Sequence, residues 1–492
     1  VSSRRRSGVE DRLIQQAFVY ELDPTPEQAR RFASHAGAAR YAYNWGIQQI
    51  AEHLEAFKKA KDAGGELPVY PDHFALCKMW TRHKDDPANG LEWVGEHFVG
   101  TFQAALRDAH GAWKKFFDSR GGRRKGRPVG RPRFKSRHRS TASFQVHGST
   151  LRIGEHRMAL SRNPAQEGRP KKVRVQVHRS VVLPKIGPVR VKEKTTKLLA
   201  LLRKAPAVCP PCGGAGKVPA KGGDAEMRRC AACKGSGQVP YARLVRGTVS
   251  RTASGRWFIS LTVERVRPVR ITPTRRQRAG GTVGVDWGVR HLATLSTGEV
   301  IDNPRYLEKA QAKLRRAERA LARTVQGSRG REKARHRVAV LHGRVAALRL
   351  DHVEKATSRL VHDHDRIVIE GWDVAGVLAG GREGLPARTR RTRNRAVADA
   401  GIGMARRKVI HKANWYGTQV TVVGRHEPTG RTCAACGQVR AKPVPPAEER
   451  FVCPSCGHGD DRRVNSARVL VRLAGSDPAP AAGETPTRDE TR

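Results

Sequence analysis

Residues 433–470 read CAACGQVRAKPVPPAEERFVCPSCGHGDDRRVNSARVL, and their reading decides the rest of the chain. Two CxxC pairs, Cys433/Cys436 and Cys453/Cys456, stand sixteen residues apart, each followed directly by glycine. Four thiolates at that spacing close a tetrahedron on one zinc ion, and glycine allows the tight turn that aims amides at sulfur. A closed site of this kind stabilises a fold and does no chemistry. After Cys456 the chain runs His458-Gly459-Asp460-Asp461-Arg462-Arg463 and enters a last helix from about Asn465.

A second set, Cys209, Cys212, Cys230 and Cys233, has seventeen residues between its pairs, within CPPCGGAG and CAACKGSG. It reads as a second structural zinc site, with disulfide pairing as the alternative; Cys77 is left alone. The charge balance is extreme: 95 Lys and Arg against 45 Asp and Glu, a formal +50. Self-repulsion of that size calls for a polyanion, and nucleic acid supplies one. No run of about 18 apolar residues exists to span a membrane. The basic N-terminus lacks the apolar core of a secretory signal, so a cytoplasmic, nucleoid-associated prokaryotic protein is expected.

The expected order is a basic arm (1–17), the first strand of a β-rich domain (18–30), a helical domain (31–118), a basic loop (119–141) and the β-rich domain itself (142–270), interrupted by the cysteine insertion (205–240). An α/β domain (271–425) follows, with a charged helical hairpin (306–362) broken at Gly327–Gly330. A zinc ribbon (426–460), a last segment (461–474) and a disordered tail (475–492) complete the chain. The aromatics Phe74, Trp80, Trp93, Phe98, Phe102, Trp113, Phe116 and Phe117 read as a helical core. Tyr41, Asn44 and Trp45 read first as core residues and second as nucleic-acid contacts. The basic loop, with Arg123, Arg124, Lys125, Arg127, Arg131, Arg133, Lys135, Arg137, Arg139 and an embedded Phe134, suits phosphate contact with stacking; a solvated loop is the bland reading.

Two carboxylates end apolar, strand-like runs: Asp286 after Val283–Val285, and Glu370 after Ile367–Ile369. Acids at the ends of adjacent strands can share a crevice and hold divalent cations, which activate water against a phosphodiester. Strand-end capping is the competing reading.

Four blocks make the reading specific. GVDWGVRHLATLSTGEV, IVIEGWDVAGVL, the run from Asn394 to Gly437 and FVCPSCGHGDDRRVNSA resemble, in order, the signature blocks of the TnpB family, and ARYAYNWGI resembles that family's first helix. TnpB proteins are transposon-encoded RNA-guided nucleases, ancestral to the type V CRISPR effectors. The resemblance implies a multidomain α/β protein: a RuvC-like RNase H fold with an inserted zinc ribbon, plus an N-terminal wedge-like β-barrel carrying a helical recognition insertion. The cysteine insertion is similar to half of a DnaJ-type zinc domain. The family's last block reads CGxxxDRDxNAA, and its second Asp is the third metal ligand. Counted from Cys456 without a gap, the first Asp falls on Asp461 and the catalytic one on Arg463, while Asn465 and Ala467 hold the register.

A guanidinium cannot ligate Mg²⁺ and stays charged. Beside Asp286 and Glu370 it is expected to pair with them and take the cation's place; Asp461 is a possible substitute ligand. The resemblance therefore implies an RNA-guided protein that binds double-stranded DNA through guide pairing and a short flanking motif, with zinc at two sites and Mg²⁺ only if the nuclease works. Occupancy of DNA, as in a compact nuclease-deficient effector of the V-M kind, is the expectation. An active transposon-type endonuclease and a guide-independent zinc-ribbon DNA-binding protein are the alternatives.

Overall fold

Thr25 and Pro26 open the first helix. Thr25 Oγ1 accepts from the Gln28 amide at 3.2 Å, and Gln28 Oε1 accepts in return from the Thr25 amide at 3.0 Å. This reciprocal cap, with proline at the first helical position, fixes where helix α1 (Pro26–Asp62) begins. The computed structural model describes residues 9–124, 128–137, 139–159, 172–219, 227–374, 376, 378, 386–424, 427–442, 444–445 and 448–475. Its contacts divide it into two units: Leu13–Arg267, and Pro268–Arg492 with Val1–Arg12. No helix among the described residues is long and apolar enough to cross a membrane.

Strand β1 (Val9–Asp23), which belongs to the Leu13–Arg267 unit from Leu13 on, precedes α1. Strand therefore replaces most of the arm expected at 1–17, and helix replaces the end of the strand expected at 18–30. Tyr20 and Leu22 are buried, and Leu22 pairs with Val191, a ladder partner no local pattern could announce. Helices α2 (His73–Asp85) and α3 (Val99–Arg120) pack with α1, where Gly46 brings α1 close to Leu106 and Ala109. Trp80, Phe102 and Trp113 are core as expected, but Phe74 is 69% exposed.

Strands β2 (Ser143–His147), β3 (Arg152–Ala159), β4 (Lys172–Leu183) and β5 (Gly187–Val191) follow. The cysteine insertion contributes β6 (Ala207–Val208), β7 (Lys217–Pro219), β8 (Met227–Arg229) and β9 (Gln238–Val239), paired β6 with β9 and β7 with β8. With β10 (Ala242–Arg251) and β11 (Trp257–Arg270), the long strands form one seven-stranded sheet, ordered β2-β10-β11-β1-β5-β4-β3. Phe32 of α1 closes its core against Phe144 and Trp257, at ring separations of 6.1 and 5.1 Å.

The second unit is built on a five-stranded sheet, ordered β14-β13-β12-β15-β16. Its strands are β12 (Thr282–Trp287), β13 (His291–Leu295), β14 (Val300–Asp302), β15 (Arg366–Glu370) and β16 (Gln419–Val423). β12, β15 and β16 run parallel, and Val283, Val285, Ile367 and Ile369 are fully buried, as expected of strands covered on both faces. The hairpin forms as Tyr306–Ala322 and Arg329–Asp363, the second helix capped by Ser328 Oγ at 3.1 Å from the Arg331 amide. β17 (Arg450–Val452) and β18 (Gly459–Asp461) pair within the ribbon. The last helix, Arg462–Gly475, begins three residues before the expected Asn465. Residues 1–8 and 476–492, which carry the start of the expected arm and nearly all of the expected tail, lie outside the described residues.

One buried histidine makes the first unit acid-sensitive. His35 Nδ1 donates to the Arg31 carbonyl at 2.9 Å, while Nε2 accepts from the Phe98 amide at 3.4 Å, so the ring is held neutral. Burial pushes its pKa down to about 4. A folded pKa below the unfolded value gives stability that is present above pH ~6.5 and drains away toward pH 4, on the order of 3 kcal/mol. Thermal melts of the full chain between pH 7 and pH 4 should show that loss, and His35→Gln should flatten the slope.

Candidate functional site: a carboxylate pair, an arginine and two cysteine clusters

Strands β12 and β15 are parallel neighbours in which Val285 faces Ile369. The next residues along each, Asp286 and Glu370, therefore come off adjacent strands at the same end of the sheet. Burial pushes Asp286 up to about 7; Arg463 pulls it down, and Glu370 pushes it further up. Burial raises Glu370 as well, against the pull of Arg406. Arg463 responds in kind: burial lowers its pKa and Asp286 supports its charge. The two acids and the arginine thus share one electrostatic site.

The last helix delivers that arginine. Gly284 lets the helix backbone lie directly on β12, because a Cβ there would collide with the Ala467 carbonyl. Gly288 leaves room for the guanidinium, since a Cβ there would sit 2.5 Å from Arg463 Nη1. Among the described residues no ion pair within 4.0 Å joins Arg463 to Asp286 or Glu370. The direct pairing expected from sequence gives way to a through-space interaction, because the first helical turn carries the guanidinium over Gly288.

Asp461 has a structural task at the start of the last helix. It ends β18 and caps the last helix: Oδ1 accepts from the Arg463 amide at 2.8 Å and from the Val464 amide at 3.1 Å. A carboxylate is well placed there, because helix N-termini carry unpaired amides and partial positive charge.

The ribbon cysteines converge. Sγ atoms are 3.7 Å apart for Cys433 and Cys456 and 3.6 Å for Cys436 and Cys453, and all four lie within 4.8 Å of one another. A tetrahedron with zinc–sulfur bonds of about 2.3 Å has edges of about 3.8 Å, whereas a disulfide would need about 2.0 Å. Gly437 and Gly457 take the left-handed turns, at φ +83° and +72°. The last helix clamps this knuckle. Asn465, fully buried, accepts from the Ala434 amide at 2.9 Å and donates to the Thr432 carbonyl at 2.8 Å. Two turns on, Arg472 donates to the Ala435 carbonyl at 2.6 Å. Sequence reading used Asn465 only for register and missed Arg472; their seven-residue spacing on one helix face is the signal that could have found the clamp.

The insertion cysteines converge equally. Cys209 and Cys230 are 3.8 Å apart, Cys212 and Cys233 3.7 Å, and the Gly216 amide donates to Cys212 Sγ at 3.3 Å. Gly213 follows the first pair at φ +57°, but Lys234 takes the corresponding turn after the second, at φ +53°.

The basic loop divides into residues that hold it and residues that present charge. Arg123 Nε bonds Asp118 at 3.2 Å, and the Arg124 amide bonds the Asp118 carbonyl. Asn44 pins Lys135 from both sides, accepting from its amide at 2.8 Å and donating to its carbonyl at 3.0 Å. Lys135 Nζ lies 3.8 Å from the Tyr43 ring centre, and Arg131 sits over Trp113 at 5.3 Å. Arg133, Arg137 and Arg139 are exposed, as is Phe134 at 62%. Lys125 and Arg127 lie outside the described residues.

Three family models match this chain. One described as "Probable transposase" covers residues 260–379, one described as "Cas12f1-like, TNB domain" covers 403–470, and one described as "Helix-turn-helix domain" covers 14–59. A "Putative RNA-guided DNA endonuclease" of Mycobacterium tuberculosis H37Rv is 30% identical over 466 residues, spanning 93% of this chain and 86% of its own. The chain belongs to the TnpB family. Similarly named TnpB-type relatives are 28% identical in Streptomyces pristinaespiralis, over 97% of this chain and 94% of that one, and 26% in Escherichia coli K12 (InsQ), over 93% and 91%. A solved Cas12f1–sgRNA–target DNA complex aligns over 93% of this chain and 98% of its own, at 11% identity and a TM-score of 0.36. Nothing about this chain follows from a likeness of that size. The site of this TnpB-family chain draws on two matched segments: the transposase match holds Asp286 and Glu370, and the TNB match holds Arg463 and the ribbon cysteines. The helix-turn-helix match falls on part of β1 and most of α1, which is one continuous helix here.

Elemental analysis of the purified chain should return two zinc ions. Cys209→Ser and Cys433→Ser should each remove one. Asn465→Ala, which strands a buried amide and a carbonyl, should destabilise the second unit by about 2–3 kcal/mol in denaturant unfolding.

Proposed function

We propose that the chain binds DNA under the direction of an RNA and does not cut it. The observation that carries this reading is Arg463, held at the start of the last helix within electrostatic reach of Asp286, which Glu370 also influences. The five-stranded sheet is read as a RuvC-type RNase H fold and the seven-stranded sheet as the wedge-like barrel. Names of full-length relatives support RNA guidance and a DNA target. The +50 charge supports the same partners through counterion release.

The residues present do not fit a two-metal nuclease. Two cations need carboxylates that hold them together, and here a fixed positive charge faces the acid pair. Asp461 is read as the helix cap rather than as a replacement ligand, since its Oδ1 accepts from the Arg463 and Val464 amides. The output of binding is then occupancy: the RNA reads the target by pairing, the protein reads a short flanking motif, and the complex blocks transcription or replication. The transposase-family match and the full-length TnpB-type relatives favour descent from a transposon nuclease over a CRISPR effector. The ribbon and the cysteine insertion are read as structural zinc modules.

The test begins with the RNA that copurifies from cells, sequenced and used to design a matching DNA duplex. The ribonucleoprotein should bind that duplex and leave it intact with Mg²⁺ or Mn²⁺. Asp286→Ala should leave binding unchanged. Arg463→Asp, which returns the third carboxylate, should bring detectable cutting that a second change, Asp286→Ala, removes. Efficient cutting by the unaltered protein, lost in Asp286→Ala, would sink the proposal.

A further inference from the structure

The outer face of α1 and α2 carries a concavity that the cleavage site does not involve. It measures ≈ 470 Å³ and is lined by Tyr41, Trp45, Met79, Arg82 and His83, with Gln48 and Gln49 at its edge. That is within the range of small-molecule sites, roughly 300–1,000 Å³. Tyr41 and Trp45 lie four residues apart on one helix face, so their rings are neighbours. Sequence reading put both first in the core and second among nucleic-acid contacts, and Tyr41 is 41% exposed. It meets the half-buried Trp93 edge-on at 5.5 Å and the buried Trp80 edge-on at 6.1 Å, so packed rings hold an open one in place. Trp45 is braced edge-on by Trp80 at 5.3 Å and stacked with His83 at 5.2 Å and 20°.

The polar groups around these rings are unevenly committed. Gln48 and Gln49 both donate their amide nitrogens to Glu52, at 2.8 and 2.9 Å. A carboxylate only accepts, so this fixes the amide orientation and leaves both Oε1 atoms as acceptors. His83 Nε2 is buried and has no hydrogen-bond partner among the described residues, a group that ordinarily finds one. Arg82, beside it, is exposed. Flat, prebraced aromatic faces, hydrogen-bonding groups at the rim and one adjacent cation suit a planar heterocycle joined to a phosphate.

We propose that this concavity receives one unpaired nucleobase of a single-stranded nucleic acid, stacked on the Tyr41 and Trp45–His83 rings, with Arg82 meeting the adjoining phosphate. A base in a duplex has both faces covered by its neighbours, so the site selects a base that has left the stack. The inference rests on the nucleic-acid reading above but not on the loss of cleavage.

The purified ribonucleoprotein is irradiated with ultraviolet light, digested and analysed by mass spectrometry. A nucleotide adduct is expected on the α1 or α2 peptide, at Tyr41, Trp45 or His83. RNase-treated full-length protein is then titrated with single-stranded RNA and DNA oligonucleotides of one sequence. Tyr41→Ala and Arg82→Ala should each weaken binding of the recognised strand about 10-fold, while Tyr41→Phe retains it. The arm that weakens identifies RNA or DNA as the source of the base. Both substitutions are at exposed positions, and an unchanged melting temperature separates lost stacking from lost folding. Absence of any adduct on these helices, with unchanged affinity in both arms, overturns the pocket while leaving general nucleic-acid binding intact. A chain that binds neither strand overturns both readings.

Discussion

The contact between the last helix and β12 is the constraint on which the arrangement of Asp286, Glu370 and Arg463 depends. Glycine at 284 lets the helix backbone come down directly on the strand. That approach sets the helix axis, the cap at Asp461 sets its first residue, and together they set where the side chain of Arg463 emerges. Asn465 and Arg472 extend the same helix to the cysteine knuckle, so ribbon, helix and sheet form one continuous support. A side chain delivered this way cannot swing far from the acid pair. Its identity then decides what the site can hold.

The electrostatics follow from burial. Lost hydration raises the cost of ionising both acids at the ends of these adjacent buried strands, and Glu370 adds to it at Asp286. In a working two-metal site, cations would offset that cost. Here Arg463 offsets part of it, yet Asp286 still titrates near neutrality, at about 7. The arginine therefore relieves part of the cost of charging Asp286. It holds its charge over Gly288 without closing a direct ion pair, which keeps the guanidinium half-buried.

The first unit shows the same economy with its positive charge. Asn44 holds the loop backbone, and Lys135 and Arg131 are spent on the rings of Tyr43 and Trp113. Arg133, Phe134, Arg137 and Arg139 are thereby displayed on an anchored segment. An anchored loop loses less entropy on meeting a phosphate backbone than a free one would. Counting arginines could not separate the two sets, because both have the same composition and differ only in what they rest on.

Local chemistry made several features legible in the sequence alone. CxxC spacing identified both cysteine clusters, because a metal site needs four thiolates whose pairing is set by short turns. Apolar runs ending in Asp286 and Glu370 announced their strands, and Thr25-Pro26 announced a helix start. The register from Cys456 to Asn465 pointed to Arg463, whose charge bears on Asp286. Other features waited for the tertiary structure. Strand at Val9–Asp23 depends on partners far along the chain, and exposure of Tyr41 depends on how three helices pack. The role of Asp461 as a cap, and the turn of Arg463 over Gly288, depend on where a helix begins against a strand some 180 residues earlier. The sequence by itself determined which groups are available and how each short segment bends. Only the folded chain decided which of them meet, because non-local contacts are chosen by burial and close packing rather than by neighbours in the chain.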